Sequence, residues 1–375
     1  MSALLDNVDP DGLLEYSVVY TDRSLNHMSQ SFQGVMKDIS LTLKEVYNAK
    51  AAVVVPGSGS YGMESVARQF ATNKKCLVIR NGWFSYRWTQ IFDMGDLPSE
   101  HIVLKAKQAV DETTSPFSPA AIDDVVASIK AEKPDVVFAP HVETSAGIIL
   151  PDDYLQAVGD AVHSVGGLFV LDCIASGTIW VDMEANNVDI LISAPQKGWS
   201  GPPCAGLVMM SERALGVLDT TTSNSFAMNL KQWHQIMQAY EGGAHAYHAT
   251  MPTDALRRFR DIMLETREVG FDKVKAAQYE LGEKVRALLT SKGIKSVAAE
   301  GFGAPGVVVS FTQDSEIQTG KKFGAVGMQI AAGVPLQCDE RDDFKTFRLG
   351  LFGLDKLMNV DRTVASLEKA LDEVM

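Results

Sequence analysis

The chain has 375 residues, enough for two domains or for one large core with an appendage. Hydrophobic residues make up 46% of the chain and charged residues 22%, a composition typical of soluble globular proteins. The formal net charge of −13 argues against nucleic acid or an anionic membrane surface as a partner. No long apolar run occurs, so we expect no transmembrane span and no membrane partner. The N-terminal sequence MSALLDNVDPDGLLEYS has acidic residues where a secretory signal has basic ones, which predicts a cytoplasmic protein.

The cysteines and histidines show no metal-binding pattern. The four cysteines lie far apart, without a CxxC pair, and the seven histidines form no zinc-like cluster. We therefore expect no metal and reduced, mostly packed thiols. The cysteines are Cys76, Cys173, Cys204 and Cys338.

The first two thirds of the chain alternate short apolar runs with helical patterns, after a predicted amphipathic helix over 28–49. Strands are predicted at 51–55, 76–80, 135–139, 168–172, 188–192 and 206–210. Helices are predicted between them at 61–71, 83–93, 118–131 and 152–165. Strands that are apolar throughout and alternate with helices indicate an α/β fold, in which a mainly parallel sheet is covered by helices on both faces.

The pattern changes after about residue 252. The predicted elements are a long helical stretch with a break at Gly270, a strand at 307–311, a helix near 317–331, a strand at 344–350 and a helix at 358–375. This order predicts a smaller C-terminal α+β domain. We place the boundaries at 1–25 for an N-terminal segment, 26–255 for the large domain and 256–375 for the small one. No flexible linker is visible, so the two domains should pack closely and leave a cleft between them.

Polar or glycine-rich sequence follows five of the predicted strands. The segments are GSGSYGME after 51–55, NGWF after 76–80, PHVETSAG after 135–139, Asp172 at the end of 168–172, and SAPQK after 188–192. Ligands of open parallel sheets bind beyond the carboxyl ends of the strands. We therefore expect a site at this edge of the sheet.

Each of these segments has a structural interpretation and a functional one. The segment GSGSYGME suits either a plain strand–helix turn or a phosphate held by free N–H groups at a helix start. Asp172 either caps a turn or faces a cation such as a protonated pyridine nitrogen. Lys197 either reaches solvent or stays partly neutral so that its amine can attack a carbonyl. Phe84 either packs in the core or stacks on a flat cofactor.

Taken together, a phosphate cradle, a carboxylate for a ring nitrogen, an aromatic face and a lysine are what pyridoxal 5'-phosphate (PLP) requires. The chain resembles the class V, fold-type-I, PLP-dependent aminotransferases, in the group of alanine–glyoxylate and serine–glyoxylate aminotransferases. The resemblance covers about residues 25–355. It rests on the motifs GSGSYGMES, NGWFSYR, HVETSAGIILP, LDCIASGT, SAPQKGWSGPPCAGLV, YHATMPTDAL and FRLGLFG, in that order.

The resemblance implies catalytic and ring-binding roles for four residues. Lys197 is expected to form the Schiff base with PLP and to move a proton of the substrate. Asp172 is expected to hold the pyridine nitrogen protonated. Phe84 takes the position of the aromatic residue that stacks on the ring, and Thr144 that of a hydroxyl residue that contacts it.

The resemblance also implies how the phosphate and the substrate are held. Ser58, Gly59, Ser60 and Gln196 are expected to bind the phosphate. Tyr247 and Thr250 match a family segment that binds the phosphate of the partner subunit's cofactor, which implies a homodimer with shared active sites. Arg348 takes the place of the arginine that binds the substrate carboxylate.

The N-terminal segment departs from the family, which often has a Pro-Gly-Pro sequence lining the substrate pocket or the partner subunit. Here the comparable stretch reads LEYSVVYTDRSLNHM, in which Tyr16, Ser17 or Tyr20 takes its place.

We expect transfer of an amino group from alanine or serine to glyoxylate or pyruvate. The alternatives are a 2-aminoethylphosphonate–pyruvate transaminase, a lyase or a desulfurase-like enzyme using Cys338, and a non-catalytic PLP-binding protein.

Overall fold

The computed structural model describes residues 13–375. Residues 1–12, which form about half of the predicted N-terminal segment 1–25, lie outside the described residues.

A seven-stranded sheet forms the centre of the molecule. Its strands are β1 (Ala51–Pro56), β2 (Lys75–Arg80), β3 (Glu100–Lys105), β4 (Val136–Pro140), β5 (Leu168–Asp172), β6 (Ile190–Ser193) and β7 (Ala205–Met210). Their order across the sheet is β1-β7-β6-β5-β4-β2-β3. Only β7 runs antiparallel to its neighbours, β1 and β6, and every other pair is parallel. The prediction of a mainly parallel sheet is confirmed.

Helices cover both faces of this sheet, which is why its central strands are buried along their whole length. The helices in this part of the chain are α1 (Gln30–Tyr47), α2 (Gly59–Phe70), α3 (Trp83–Gly95), α4 (Ile122–Glu132), α5 (Asp152–Ser164), α6 (Glu212–Leu218) and α7 (Leu230–Glu241). Helix α2 packs on β7, α3 on β2, α5 on β5 and α7 on β1. The sheet and its helices therefore form an α/β layered core.

The C-terminal part is built around a small antiparallel sheet. Its strands are β8 (Val307–Phe311), β9 (Ala331–Ala332) and β10 (Thr346–Gly350), in the order β8-β10-β9. Its helices are α8 (Thr253–Val269), α9 (Phe271–Ser291), α10 (Ser315–Gln318), α11 (Lys321–Ala325), α12 (Leu354–Leu357) and α13 (Val360–Val374). Helix α9 packs against β8, α12 and α13. The domain boundary between residues 255 and 256 stays a prediction.

Some predicted elements differ from the structure. The predicted helix near 317–331 is wrong: two short helices and the strand β9 occupy this region. Gly320 separates the two helices because its φ of 79° lies in the left-handed region, where a helix cannot continue. Strand β3 and helices α6 and α7 were not predicted.

The described part of the chain contains neither a candidate membrane span nor a candidate metal cluster. No helix within residues 13–375 is long and apolar enough to cross a membrane. In the same residues, no group of three or more His, Cys, Asp and Glu side chains is placed to hold a metal ion.

Candidate active site

The carboxyl ends of the parallel strands surround a cavity of about 180 Å³. Its walls come from the segments that follow β1, β2, β4, β5 and β6. The lining residues are Ser58, Gly59, Ser60, Met63, Phe84, Arg87, Pro140, Val142, Thr144, Asp172, Ile174, Ala175, Gln196 and Lys197. Every residue of the same subunit that the sequence predicts for cofactor binding lies in this lining.

Lys197 lies on a tight turn between β6 and β7. The backbone N–H of Ser200 donates to the carbonyl of Lys197 at 3.0 Å, which closes the turn. The next residue, Gly198, must lack a side chain, since a Cβ there would lie 1.9 Å from the carbonyl oxygen of Gly177. Trp199 is 1% exposed and packs with its ring centroid 4.6 Å from that of Trp180. Close packing on both following residues therefore fixes the lysine at the cavity.

The amine of Lys197 is in a positively charged, partly desolvated environment. Burial lowers the pKa of Lys197, and the nearby guanidinium groups of Arg348 and Arg87 lower it further. Its Nζ lies 5.3 Å from the centroid of the Phe352 ring. A lowered pKa increases the fraction of neutral amine, which is the form that can act as a nucleophile or accept a proton.

Asp172 is the last residue of β5, at the centre of the sheet, where it pairs with Pro140 of β4 and Ile192 of β6. Its side chain accepts a hydrogen bond from the backbone N–H of Ile174 at 2.9 Å. Burial raises the pKa of Asp172 to about 7, and the charge of Glu143 acts in the same direction. A carboxyl group so placed gains stability when a cationic group enters the cavity.

The N-terminus of α2 forms another wall of the cavity. Ser58 is the N-cap residue, and its hydroxyl makes no capping hydrogen bond. The first backbone N–H groups of a helix have no intrahelical acceptor, so those of Gly59 and Ser60 can bind an anion. Across the cavity, the buried side-chain oxygen Oε1 of Gln196 has no hydrogen-bond partner among the described residues. These groups are polar and free to bind a ligand.

Phe84 is held at the start of α3 by a buried carboxylate. Glu143 is 0% exposed and accepts hydrogen bonds from the backbone N–H groups of Phe84 at 3.2 Å and Ser85 at 2.9 Å. The hydroxyls of Ser85 and Ser145 donate to the same carboxylate, each at 2.7 Å. Gly82 permits this approach, because a Cβ there would lie 2.1 Å from the hydroxyl oxygen of Ser145. The carboxylate therefore fixes the backbone that carries the aromatic ring.

Two guanidinium groups lie against the ring of Phe84. That of Arg87 is 5.0 Å from the ring centroid, and that of Arg348 is 5.6 Å from it. Arg87 donates from Nη1 to the hydroxyl of Ser60 at 2.9 Å. Arg348 comes from β10 of the small sheet, where its Nε donates to the carbonyl of Ala332 at 2.7 Å. Burial lowers the pKa of Arg348. The cavity thus brings cationic groups from both parts of the chain together.

Tyr247 and Thr250 do not line this cavity. Tyr247 is 54% exposed, and its hydroxyl lies 3.1 Å from that of Thr250. The N-terminal segment packs on the same region, since the hydroxyl of Tyr20 donates to the carbonyl of Met251 at 3.0 Å. The ring of His27 lies between them, 5.6 Å from Tyr20 and 5.5 Å from Tyr247 by ring centroids. These residues form one surface unit outside the cavity of their own chain.

A larger cavity, of about 540 Å³, lies between α9 and the small sheet and contains none of the predicted site residues. Its cation, Arg286, already donates to the carbonyl of Ala304 at 2.8 Å and the hydroxyl of Ser296 at 3.2 Å. We therefore place the active site in the smaller cavity.

Sequence reasoning missed two residues near the amine and the ring, Glu143 and Phe352, whereas the family resemblance places Arg87 near the cofactor loop. Arg87 follows Phe84 by three positions on a predicted helix, so the two side chains share a helix face. That spacing was a signal in the sequence. For Glu143 there was none, because its partners are about 60 positions away in the chain.

Comparison with known proteins gives relatives that cover most of the chain, although no family model matches it. The alanine–glyoxylate aminotransferase of Oryctolagus cuniculus is 24% identical over 358 residues, which cover 92% of this chain and 86% of that protein. The 2-aminoethylphosphonate–pyruvate transaminase of Vibrio vulnificus is 25% identical over 327 residues, covering 85% and 83%. A protein of Synechococcus named the small subunit of a soluble hydrogenase is 22% identical over 356 residues, covering 93% and 88%.

The fold has solved counterparts. The crystal structure of an alanine–glyoxylate aminotransferase from Nostoc matches with a TM-score of 0.77 and 19% identity, covering 92% of this chain and 89% of that one. The chain is therefore a homologue of alanine–glyoxylate and 2-aminoethylphosphonate–pyruvate transaminases, and it has the fold of the class V, PLP-dependent aminotransferases.

Proposed function

We propose that this protein is a PLP-dependent aminotransferase that moves an amino group from alanine or serine to glyoxylate or pyruvate. The observation that carries the proposal is the single cavity at the strand ends, in which Lys197, Asp172 and Phe84 meet the free N-terminus of α2. The names of the relatives support the same reaction class.

The residues of the cavity fit the cofactor. Asp172 would hold the pyridine nitrogen, since a buried carboxyl group with a raised pKa is stabilised by a cationic partner. Phe84 and Thr144 would contact the ring. Ser58, Gly59, Ser60 and Gln196 would bind the phosphate through hydrogen-bond donors, which for Gln196 is the side-chain amide N–H group.

When bound, the cofactor supplies an aldehyde that exchanges amino groups and a pyridine ring that accepts electron density. Lys197 would bind the aldehyde carbon through Nζ. Once the amino group of the donor has displaced Lys197 from that carbon, its lowered pKa would let the freed amine take the proton from the substrate Cα and pass it to the cofactor. Asp172 would keep the ring nitrogen protonated, and Arg348 would orient the substrate by its carboxylate.

We further propose that two subunits share each site. Tyr247 and Thr250 are exposed on their own chain and would bind the phosphate of the neighbouring subunit. The N-terminal residues Tyr16 and Tyr20 would lie near the same neighbouring site, because the Tyr20 hydroxyl donates to the carbonyl of Met251, next to Thr250. Ser17 lies in the same segment. The cytoplasmic location predicted from the sequence stays a prediction.

A desulfurase-like activity at Cys338 is not favoured by the position of that thiol. Cys338 is 5% exposed, and its Sγ lies 3.5 Å from the carbonyl oxygen of Arg80. Burial raises the pKa of Cys338 to about 12, whereas a reactive cysteine needs a low pKa. A transaminase for 2-aminoethylphosphonate is the second candidate, because one relative of similar identity bears that name.

The test is a panel of amino donors against the purified protein loaded with PLP. We expect the highest kcat/KM for alanine or serine, with glyoxylate or pyruvate as acceptor. Glutamate is expected to be poor, since a dicarboxylic donor needs a second cation beyond Arg348. Glutamate exceeding alanine and serine about tenfold or more would refute the small-substrate assignment, and a preference for 2-aminoethylphosphonate would select the second candidate.

The matched control for the panel is Lys197→Ala, which removes the amine and leaves the packing of Gly198 and Trp199 in place. This variant should keep its fold by circular dichroism and lose turnover by several orders of magnitude. Turnover at the wild-type rate would contradict the role of Lys197.

A further inference from the structure

Arg87 has no assigned role, although its side chain lines the cavity. It lies on α3, one turn after Phe84, and its guanidinium packs on the ring of that residue. Its Nη1 reaches the hydroxyl of Ser60 at 2.9 Å, at the N-terminus of α2. The guanidinium therefore lies beside the wall that offers free N–H groups to an anion.

Arg87 lacks the partner that a cation in such a place normally has. Among residues 13–375, no Asp or Glu forms an ion pair with it, and its hydrogen bond is to a neutral hydroxyl. Several other arginines of the described residues form ion pairs, as Arg68 does with Glu64 at 2.6 Å. A half-buried guanidinium without a counter-ion is stabilised when an anion binds next to it.

The phosphate of the cofactor is such an anion. A phosphate monoester carries a charge of about −1.5 to −2 at neutral pH. The other groups expected to bind it, from Ser58, Gly59, Ser60 and Gln196, are all neutral. Arg87 is adjacent to them and presents a planar fork suited to phosphate oxygens.

We propose that Arg87 binds the phosphate group of the cofactor and supplies the positive charge that neutralises it. This inference rests on the proposed function. Under this inference, the two guanidinium groups that pack against Phe84 bind two different anions. Arg87, bonded to the N-terminus of α2, takes the phosphate, and Arg348, on the small sheet, takes the substrate carboxylate.

The test compares PLP with pyridoxal, which has the same ring and aldehyde but no phosphate. Dissociation constants for both are measured by titrating the apoprotein and following the quenching of tryptophan fluorescence. In Arg87→Gln, the affinity for PLP should fall about tenfold to a hundredfold, whereas that for pyridoxal should stay within about threefold of the wild-type value. The preference for PLP should therefore collapse.

Arg348→Gln is the matched control, because it removes the other guanidinium next to Phe84. It should leave both dissociation constants nearly unchanged and raise the KM for the amino donor. If Arg87→Gln weakens PLP and pyridoxal equally, Arg87 only supports Phe84 and the inference is wrong. It is equally wrong if PLP binding is unchanged and only the KM of the donor rises.

A second variant and the wild-type apoprotein distinguish failure of this inference from failure of the proposed function. Arg87→Lys keeps the charge without the planar fork, so it should lose part of the PLP preference; it carries the same comparison if the glutamine variant does not fold. A wild-type apoprotein that binds neither compound would overturn the proposed function together with this inference. Binding of both with an unchanged preference in the Arg87 variants would overturn this inference alone.

Discussion

Two buried aspartates at opposite ends of the parallel strands show how function and stability separate at single residues. Asp172, at the carboxyl end of β5, has one backbone donor and no ion pair among the described residues. Asp189, just before β6, lies 2.9 Å from the imidazole of His163 and also accepts from the backbone N–H of Phe169 and the hydroxyl of Ser211. The Asp172 carboxylate can therefore still accept a cationic partner, whereas the Asp189 carboxylate already contacts three polar groups.

Asp172→Asn should stabilise the apoprotein and impair catalysis. Burial raises the pKa of Asp172 from an ordinary value near 4 to about 7, so the folded protein binds a proton that the unfolded chain releases. Wild-type stability should therefore fall as pH rises from about 4 to about 7, by up to roughly 4 kcal/mol. The asparagine variant does not lose stability in this way. Its free energy of unfolding in urea should therefore exceed that of the wild type by more at pH 8 than at pH 5. Its transamination rate should drop by several orders of magnitude.

Asp189→Asn is the control for this experiment. It replaces a buried carboxylate whose oxygens already have hydrogen-bond partners, so it should destabilise the apoprotein at pH 8 and leave PLP binding unchanged. The prediction is wrong if the Asp172→Asn apoprotein is less stable than the wild type. It is also wrong if the difference in their free energies of unfolding does not change with pH.

At the level of elements, the start of α3 depends on a residue from another strand end. Glu143 supplies the carboxylate that accepts the first N–H groups of the helix and the hydroxyls of Ser85 and Ser145. A negative charge is also favourable at a helix N-terminus. The position of Phe84 in the cavity is therefore determined by the short hairpin after β4, in which Val142–Glu143 pairs antiparallel with Ile148–Ile149.

Glu143→Gln should weaken this junction. In the wild type, the N–H groups of Phe84 and Ser85 and the hydroxyls of Ser85 and Ser145 share two carboxylate oxygens. The glutamine amide has one acceptor oxygen, so we expect the free energy of unfolding to fall by on the order of 2–3 kcal/mol. PLP affinity should fall as well, because the backbone of Phe84 is no longer fixed. Both are measured on the purified apoprotein, by urea unfolding and by PLP titration.

Glu64→Gln, on the neighbouring helix α2, is the matched substitution. Glu64 forms a partly exposed ion pair with Arg68, so its change should cost less than about 1 kcal/mol. Equal effects of the two substitutions would show that Glu143 has no special position.

These elements also show what the sequence could predict. The central strands were predictable because their apolar runs are continuous. Asp172 and Lys197 were predicted as site residues because Asp172 ends such a run and Lys197 lies in the segment that follows another. Strand β3 was missed because it is an edge strand with exposed and half-exposed residues throughout. The contact between Gly198 and Gly177 and the network of Glu143 were not predictable, since they depend on tertiary approach between distant segments.

The whole molecule has a charge distribution that suits anionic ligands. The chain carries a formal net charge of −13, yet Lys197 and Arg87 line the cavity and Arg348 packs on the ring of Phe84 in its wall. A positive site on a negative protein concentrates small anions such as 2-oxo acids at the cavity.

The last prediction concerns the assembly of the site from two subunits. Lys197→Ala is mixed with the double variant Tyr247→Phe/Thr250→Ala, each nearly inactive alone, under conditions of subunit exchange. If Tyr247 and Thr250 act in the partner's site, each hybrid dimer has one site with both defects and one with neither. Activity should then recover to about a quarter of the wild-type value, since half of the dimers are hybrids.

The control mixture is Lys197→Ala with Arg348→Gln. Both residues are expected to serve the same site from one chain, because Lys197 lines the cavity and Arg348 of the same chain lies near enough to lower its pKa. Hybrids of this pair contain no intact site, so activity should stay at the average of the two parents. Recovery in the control, or no recovery in the first mixture, would mean that the exposed pair Tyr247 and Thr250 does not complete the neighbouring site.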